Sequence, residues 1–278
     1  MVCLPLNGGV MSGRRSDGGT GLDYDVALKL ADFLDLNLKM VWFEAELDEE
    51  SSELNDSVAL LSEPMCDAVP GHALYEPSLG TPLSRRAALP RWKKNKNRDL
   101  PSTPTFVDLR PIDATAPYAR IEMGFVLRES LEIQGFEDIE GLRLGVQEGT
   151  LAGAISLLNA SDSVRSRMVS VNPGPLFLWD MEKGEFDVAL VSTAEYDYHK
   201  QKNPLSTLKL SSYRHPLGFN IGMAVLQENS LLKEQLDRGV RHLRENGFLE
   251  AMFSEKTNHF VLPESPFITP RIQTKDLH

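Results

Sequence analysis

The chain has 278 residues and a formal net charge of -11, with 29 Lys and Arg residues against 40 Asp and Glu residues. This length suits one large domain or two lobes. The acidic balance argues against a surface that binds nucleic acid or an anionic membrane, unless basic residues are locally segregated. The sequence has no apolar run of about 18 residues, so we expect no membrane-spanning helix.

The first third of the chain alternates strands and helices. Residues 2–6 are short and apolar, residues 7–21 carry six glycines, and helical spacing of apolar residues begins near Leu22. The further elements predicted here are a strand over 38–43, a helix through Leu54, Val58 and Leu61, and a strand over 65–69. This alternation indicates the α/β class with a mostly parallel sheet.

Residues 80–105 break the pattern and are predicted to form a loop. Seven basic residues face a single acid, Asp99, in this segment. The basic residues are Arg85, Arg86, Arg91, Lys93, Lys94, Lys96 and Arg98. Such a charge run is either a solvated loop or a surface that docks an acidic partner.

A second alternation follows. The predicted elements are an extended run over 123–127, strands over 142–146, 168–171 and 186–191, and helices over 150–158, 176–181 and from 194. Another extended run over 218–226 then precedes helices over 230–244 and 247–255 and an irregular tail that holds Pro263, Pro266 and Pro270.

Two extended runs that bracket a complete α/β unit are typical of one lobe inserted into another. We place the crossings near 119–124 and 220–223. The predicted lobe 1 is therefore 1–121 with 220–278, and lobe 2 is 122–219. The alternative is two independent domains in series.

The two cysteines, Cys3 and Cys66, fall within the first and third predicted strands. Such strands often lie side by side, about 4.7–4.9 Å apart, which suits the Cα separation that a disulfide accepts. A bridge is therefore geometrically reasonable and would indicate an oxidising compartment. Two buried free thiols are the alternative.

Motifs for catalysis, nucleotide binding and metal binding are missing. The glycine-rich segment has Gly8 and Gly13 at phosphate-loop spacing but lacks the Lys and the Ser or Thr that nucleotide binding needs, so we expect a flexible rim loop. The six histidines are scattered rather than set at metal-ligand spacing. We therefore predict no enzyme activity, no cofactor and no metal.

The segment 147–151 joins a predicted strand to a predicted helix. Its backbone N–H groups and the Thr150 hydroxyl suit an anion at the start of that helix. The alternative is that Thr150 is only the N-cap of the helix.

Five stretches together resemble the periplasmic solute-binding proteins of the polar amino-acid type (family 3) that serve ABC transporters. The stretches are Gly21-Leu22-Asp23-Tyr24-Asp25-Val26-Ala27, Met65-Cys66-Asp67-Ala68-Val69 with Gly71, Ala116-Pro117-Tyr118, Leu142-Arg143-Leu144-Gly145-Val146 with Gly149-Thr150, and Gly184 with Asp187-Val188-Ala189-Leu190. Their order and spacing carry the resemblance over nearly the whole chain.

The resemblance implies the two-lobe type II periplasmic-binding-protein fold with two hinge crossings and a small polar or anionic solute held between the lobes. It implies a periplasmic monomer, with its signal peptide removed, that serves an ABC transporter permease. The candidate solute contacts are Asn7, Trp42, His72, Tyr75, Tyr118, Arg120, Glu148, Gly149, Thr150 and Glu195.

The chain departs from the family where an α-amino acid would be held. The position of the usual carboxylate-binding Arg holds Ser78, and Tyr75 replaces the Thr before it. The position of the acid that receives the ammonium group holds Thr193, with Glu195 and Asp197 nearby. Because an unpaired buried charge is costly, we expect a solute other than an ordinary α-amino acid. Arg110 and Arg120 are candidates to replace the Arg clamp, and the alternative is that each is a solvated surface charge.

A cysteine in the first strand, Cys3, and the stretch Cys66-Asp67-Ala68-Val69 with Gly71 resemble a divergent branch that includes solute-binding-like proteins accompanying quinoprotein dehydrogenases. This resemblance implies an alternative function, that of an accessory protein that binds a periplasmic dehydrogenase through its surface. The basic segment 85–98 would be the docking element. An enzyme on the same frame, similar to cyclohexadienyl dehydratase, is a third hypothesis that lacks a visible acid/base pair.

Overall fold

A computed structural model describes most of the chain. The described residues are 1–15, 18–44, 53–90, 105–128, 132–148, 150–171, 176–255 and 257–277, without the side chains of residues 7, 53 and 54.

The strands alternate with helices along much of the chain, as the sequence predicts. The strands are β1 (Val2–Pro5), β2 (Asn7–Gly8), β3 (Ser12–Arg15), β4 (Gly18–Thr20), β5 (Met40–Phe43), β6 (Val69–Ala73), β7 (Arg86–Ala88), β8 (Phe106–Asp108), β9 (Ile112–Ala114), β10 (Ala119–Ile121), β11 (Met123–Leu127), β12 (Leu144–Gln147), β13 (Val169–Val171), β14 (Val188–Ser192), β15 (Lys209–Leu210) and β16 (Phe219–Leu226).

Apart from a short helix at Asp162–Arg165 that the sequence does not predict, the described α-helices lie within a few residues of their predicted positions. They are α1 (Leu22–Phe33), α2 (Glu53–Ser62), α3 (Leu151–Asn159), α4 (Asp162–Arg165), α5 (Phe177–Lys183), α6 (Thr193–Lys202), α7 (Ser230–Glu245) and α8 (Phe248–Ser254), with short 3-10 helices at Glu76–Ser78, Phe136–Ile139 and Thr274–Leu277. No helix in the described part of the chain is long and apolar enough to cross a membrane.

The chain divides into two compact units. Unit 1 comprises Met1–Arg120, Phe219–Lys256 and Leu262–Arg271, and unit 2 comprises Ile121–Gly218, Thr257–Val261 and Ile272–His278. The division gives two short C-terminal segments to unit 2, whereas the sequence prediction has all of 220–278 in lobe 1. The contacts that hold them there involve Asp197 with His259, and Asn159 with Leu277.

Two of the sheets of unit 1 organise its core, and one of them combines the first and last parts of the chain. Strand β1 pairs in parallel with β5, and a parallel bridge joins Val2 to Ala68. The strand β16 lies between β6 and β10 and runs antiparallel to both β6 and β9. The late strand β16 therefore completes a sheet whose other members come from the first half of the chain.

Unit 2 is built on one mixed sheet with the order β13-β12-β14-β11-β15. Strand β12 is parallel to β13 and β14, and β11 is antiparallel to β14 and β15. Alternate residues of β11 enter different cores, since Phe125 and Leu127 belong to one buried cluster and Val126 to another. The α/β class is confirmed, and the antiparallel pairs come from β11 and β15.

A disulfide joins Cys3 to Cys66, with a Cα separation of 5.6 Å. The Cys3 N–H donates to the carbonyl of Ala68 at 3.1 Å, which fixes β1 beside the segment that leads into β6. The predicted bridge is confirmed and the alternative of two free thiols is wrong. The predicted third strand is shifted, because ladder pairing covers Val69–Ala73 rather than 65–69.

Two predicted loops contain strands. The glycine-rich segment forms a three-stranded sheet, β2-β3-β4, in which Gly13 pairs with both Asn7 and Thr20. Strand β7 lies inside the segment predicted to be a loop over 80–105, and it pairs with β8, which follows that segment. The first prediction rested on glycine content and the second on charge content. Neither content excludes a strand, because the hydrogen bonds of a strand ladder are made by the backbone.

We expect the double variant C3S/C66S to be less stable than the wild type by about 4 kcal/mol, because the disulfide restricts the unfolded chain across a sequence separation of 63 residues. Urea unfolding with and without reductant measures the difference. Reductant should destabilise the wild type and leave the double variant unchanged. A wild type that is equally stable in both conditions contradicts the structural role of the bond.

Candidate functional site

The Tyr118 hydroxyl is the centre of a buried network in unit 1. It donates to the Asp23 carboxylate in the first turn of α1 and accepts the Gly71 N–H at 2.7 Å. Burial and the Asp23 carboxylate raise the pKa of Tyr118 well above its usual value. Gly71 has a φ of 79°, and a Cβ there would lie 2.7 Å from Asp23 Oδ2. The network therefore explains three positions on which the family resemblance depends.

This network corrects the expected role of Tyr118. The side chain is fully buried and its hydroxyl already has two partners. A solute contact would require those bonds to break. We therefore assign Tyr118 a structural role and leave it out of the proposed binding surface.

Ser78 stands at the position to which the resemblance assigns a carboxylate-binding Arg, and His72 lies beside it. The Ser78 hydroxyl donates to the Tyr75 carbonyl at 2.7 Å and lies 3.3 Å from His72 Nε2. Burial lowers the pKa of His72 to about 4, so the imidazole is neutral near pH 7. The His72 Nδ1 atom is buried without a hydrogen-bond partner among the described residues. The pair supplies polar atoms but no positive charge.

The two candidate aromatic residues pack against neighbours in unit 1. The Trp42 ring stacks on Tyr24 with a centroid distance of 6.1 Å, and Gly19 lies against both rings. The Tyr75 ring meets Phe219 edge-on at 6.1 Å. Both Trp42 and Tyr75 are half-buried, so each combines a packing role with an accessible face.

Arg120 in β10 carries an incompletely paired guanidinium. Its side chain is 14% exposed, and its Nε atom is buried without a hydrogen-bond partner among the described residues. The contact that reaches it is an ion pair between Nε and Glu264 Oε2 at 3.5 Å. By contrast, Arg110 pairs with Glu228 and is 38% exposed. Of the two arginines, Arg120 is the one with a buried donor that has no hydrogen-bond partner among the described residues.

Thr150 in unit 2 is the N-cap of α3. Its Oγ1 accepts the Gly153 N–H at 3.0 Å and donates to the Gln147 carbonyl at 3.0 Å. A Cβ on Gly153 would lie 2.0 Å from that carbonyl oxygen, so only glycine fits this close approach. Thr150 therefore caps α3, which agrees with either interpretation of this segment. Gly149, a candidate contact, lies outside the described residues.

Gln147 lies at the end of β12 and Glu195 in the first turn of α6, and their side chains form a hydrogen-bonded pair. The Gln147 amide donates to Glu195 Oε1 at 3.0 Å, and the Glu195 N–H donates to the Ser192 hydroxyl at 3.1 Å. Although the residue is half-buried, its carboxyl group is desolvated, which raises the pKa of Glu195 to about 7. The carboxyl is therefore close to half-ionised at neutral pH.

The other acids of unit 2 have partners of their own. Glu148 is exposed and accepts a hydrogen bond from the Ser170 hydroxyl. Asp197 is buried and lies 2.7 Å from His259 Nδ1. Asp187, part of the resemblance, binds the Arg143 side chain at 2.8 and 3.0 Å, and Arg143 holds the pKa of that carboxyl below its usual value. Glu195, by contrast, has a desolvated carboxyl that accepts a hydrogen bond from the Gln147 amide.

The structure brings together part of the predicted contact set. In unit 2, Gln147 links Glu195 to Thr150, whereas Glu148 bonds to Ser170 instead. In unit 1, His72 and Tyr75 share Ser78. The candidate Asn7 lies in β2, and its side chain lies outside the described part of the chain.

Sequence reasoning missed Gln147, Glu264 and Asn220. Gln147 ends a predicted strand beside the helix start, which is a usable signal. Glu264 and Asn220 are joined across 44 residues of chain, and no local pattern indicates that pairing.

A separate cavity of about 400 Å³ in unit 1 is lined by Asp67, Glu228, Asn229, Ser230, Leu231 and Leu232. It contains none of the predicted solute contacts. Its two carboxylates, Asp67 and Glu228, do not match an anionic solute, so we do not assign it a role. The described residues contain no cluster of His, Cys, Asp and Glu that suits a metal ion.

Comparison with protein-family models gives no match, and comparison with curated proteins gives none. Solved structures match over nearly the full length. A histidine kinase sensor domain with similarity to periplasmic binding proteins has a TM-score of 0.61 at 17% identity, covering 95% of this chain and 97% of that chain. The chain has the periplasmic-binding-protein fold.

Two further structures with this fold are binding proteins. The unliganded, open L-cystine solute receptor of Neisseria gonorrhoeae has a TM-score of 0.59 at 17% identity, with 92% of each chain covered. An ancestral arginine-binding protein bound to arginine has a TM-score of 0.59 at 16% identity, covering 92% of this chain and 97% of that chain. At these identities, the likeness establishes the periplasmic-binding-protein fold and no particular ligand.

We expect the Glu195 carboxyl to make unit 2 less stable as pH rises from about 4.5 to about 7. Its pKa is raised from 4.5 in the unfolded chain to about 7 in the folded one, so the folded state binds the proton more tightly in this window. Urea unfolding at about pH 5 and about pH 8 should show E195Q gaining roughly 1–2 kcal/mol over the wild type as pH rises.

The matched control is E148Q, because Glu148 is exposed. A gain of the same size in E148Q would show that the pH effect does not come from the Glu195 carboxyl. If E195Q follows the wild type at both pH values, the Glu195 carboxyl is not desolvated in solution.

Proposed function

We propose that this chain is an extracytoplasmic solute-binding protein that captures a small polar or anionic solute for an ABC transporter permease. In this proposal the protein is a periplasmic monomer without enzyme activity. The periplasmic-binding-protein fold supports the class of function, since the cystine receptor and the arginine-binding protein share it. The particular side chains of this chain support the choice of solute.

Arg120 is the observation that carries the proposal. A guanidinium has five N–H donors in a fixed planar fork and keeps its charge when it is buried. Arg120 is only 14% exposed, yet its Nε atom has no hydrogen-bond partner among the described residues. A carboxylate or phosphate oxygen would satisfy that donor with a charge-assisted bond. We therefore assign Arg120 as the group that receives the anionic part of the solute.

The proposal excludes an ordinary α-amino acid held in the family's usual way. The position of the usual clamp has the neutral Ser78 hydroxyl, already bonded to the Tyr75 carbonyl. The neighbouring His72 has a pKa lowered to about 4 and carries no charge near pH 7. A carboxylate placed there would be desolvated without a cation, which is costly.

Unit 2 has a polar feature of its own. The Glu195 carboxyl keeps a hydrogen bond from Gln147, and with a pKa of about 7 it exists in both protonation states near neutral pH. A carboxyl in this condition accepts a hydroxyl or amine donor when ionised and donates when protonated. This versatility suits a polar solute without a fixed ammonium group.

We also propose that the chain belongs to the divergent branch near the proteins that accompany quinoprotein dehydrogenases. This part of the proposal rests on the sequence resemblance. The alternative, a surface that binds a periplasmic dehydrogenase, depends on the basic segment 85–98. Of this segment, 91–98 lie outside the described residues, while Arg86 forms an ion pair with Asp108 at 3.5 Å. Because no described contact favours a partner there, we prefer the solute-binding function.

A thermal-shift screen tests the proposal with amino acids, organic acids, polyamines, sugars and alcohol-oxidation metabolites. We expect a small organic acid or a related anionic solute to raise the unfolding temperature. A ligand at 100 times its Kd stabilises the folded state by ~2.7 kcal/mol. R120M should lose most of this stabilisation, and R120K should keep part of it because it retains the charge without the planar fork.

The control variant is R110M, since Arg110 is already paired with Glu228. It should respond to the solute as the wild type does. A screen with no stabilising solute, or a solute whose effect is equal in the wild type and R120M, contradicts the proposed role of Arg120.

A further inference from the structure

The C-terminal segment 262–271 belongs to unit 1 and is held there by an unusually complete set of bonds around Asn220. The fully buried Asn220 side chain donates to the carbonyls of Glu264 at 2.7 Å, Phe267 at 3.1 Å and Pro266 at 3.3 Å. Its Oδ1 accepts the Glu264 N–H at 3.1 Å. The backbone of Glu264 is therefore fixed from both sides by one side chain.

The same segment continues along the region of Tyr75. The Thr269 N–H donates to the Leu74 carbonyl at 2.8 Å, and the Glu76 N–H donates to the Thr269 carbonyl at 2.9 Å. The Arg271 N–H donates to the Glu76 carboxylate at 3.2 Å. The segment is thus anchored at two places, by the Asn220 side chain and by the backbone hydrogen bonds of Thr269. These bonds position Glu264 relative to β10.

The side chain of Glu264 is exposed and loosely paired, whereas its backbone is held by Asn220. It is 63% exposed and approaches Arg120 through the ion pair of 3.5 Å, which does not satisfy the Arg120 Nε donor. An exposed carboxylate in a loose ion pair contributes little free energy and rotates into water at low cost. A fixed backbone therefore carries a carboxylate that is easily displaced.

We propose that Glu264 is an internal competitor that occupies Arg120 until an anionic solute displaces it. This inference rests on the proposed function of Arg120. The carboxylate of Glu264 has the chemistry of the anion that Arg120 is assigned to receive, and it reaches the same guanidinium from within the chain. It makes Arg120 selective, because an anion must bind better than the weak internal pair before it is retained.

The competing carboxylate also keeps the half-buried guanidinium paired when no solute is present. Without Glu264, the Arg120 charge would have no ion-pair partner among the described residues. The solute exchanges one partner for another and does not neutralise an isolated charge. Glu264 is therefore a specificity-determining residue that need not touch the solute.

Isothermal titration with acetate, succinate and inorganic phosphate tests this inference on the full chain. We expect E264Q to bind these anions roughly two- to fivefold more tightly than the wild type, the range that corresponds to the loss of an exposed ion pair. The double variant R120M/E264Q should bind as weakly as R120M. The matched control is E228Q, because Glu228 is also 63% exposed and pairs with Arg110; it should bind as the wild type does.

A second measurement does not depend on the anions. Phenylglyoxal modification of Arg120, followed by peptide mass spectrometry, should be faster in E264Q than in the wild type and unchanged in E228Q. Equal rates in E264Q and the wild type contradict an occupied guanidinium.

The outcomes separate the two proposals. If R120M weakens binding but E264Q leaves it unchanged, the internal competitor is wrong and the role of Arg120 stands. If E264Q weakens binding, Glu264 contacts the solute and does not compete with it, which also overturns the inference. If none of the three anions binds any variant, or R120M binds as the wild type does, the proposed role of Arg120 fails and the inference fails with it.

Discussion

Unit 1 depends on a single buried hydroxyl. Tyr118 joins the first turn of α1, through Asp23, to β6, through the Gly71 N–H. A tyrosine hydroxyl in an apolar interior must be hydrogen-bonded, and here it supplies the donor for a buried carboxylate and the acceptor for a backbone amide. Three segments distant in sequence are thereby held in one arrangement.

The residues of this network are close in sequence to two candidate solute contacts. Tyr118 immediately precedes β10, and Arg120 lies two residues further along the chain. His72 directly follows Gly71. The residues that fix the backbone and the residues assigned to chemistry are therefore neighbours in sequence with different roles. A substitution that disturbs the hydroxyl network would affect binding without touching a solute.

The sequence was a good guide wherever apolar periodicity decides the structure. The helix predicted over 150–158 is observed at Leu151–Asn159, and the strand predicted over 123–127 is observed there. It was a poor guide in 7–21, where glycine content suggested a loop but ladder bonds form a sheet. Local composition does not determine which residues pair in a strand ladder. For the same reason, the position of β6 is shifted from the predicted 65–69 to Val69–Ala73.

The candidate site was predictable only in part, for a similar reason. Thr150 was placed correctly because an N-cap is a local signal. The burial of Tyr118, by contrast, arises from partners 95 and 47 residues away. Sequence pattern identifies residue types suited to a solute, but only the assembled structure shows which of them already have partners.

The late position of β16 has a consequence for how the protein folds. The strands of unit 2 lie within one uninterrupted stretch, 121–218, so its contacts are comparatively local. Unit 1 must keep β6 and β10 without the strand between them until residues 219–226 are available. Long-range pairing of this kind is slow because chain entropy is lost before the contacts form. The Cys3–Cys66 bond lies wholly within the early part of the chain, so it can restrain the incomplete half and limit aggregation through its unpaired strand edges.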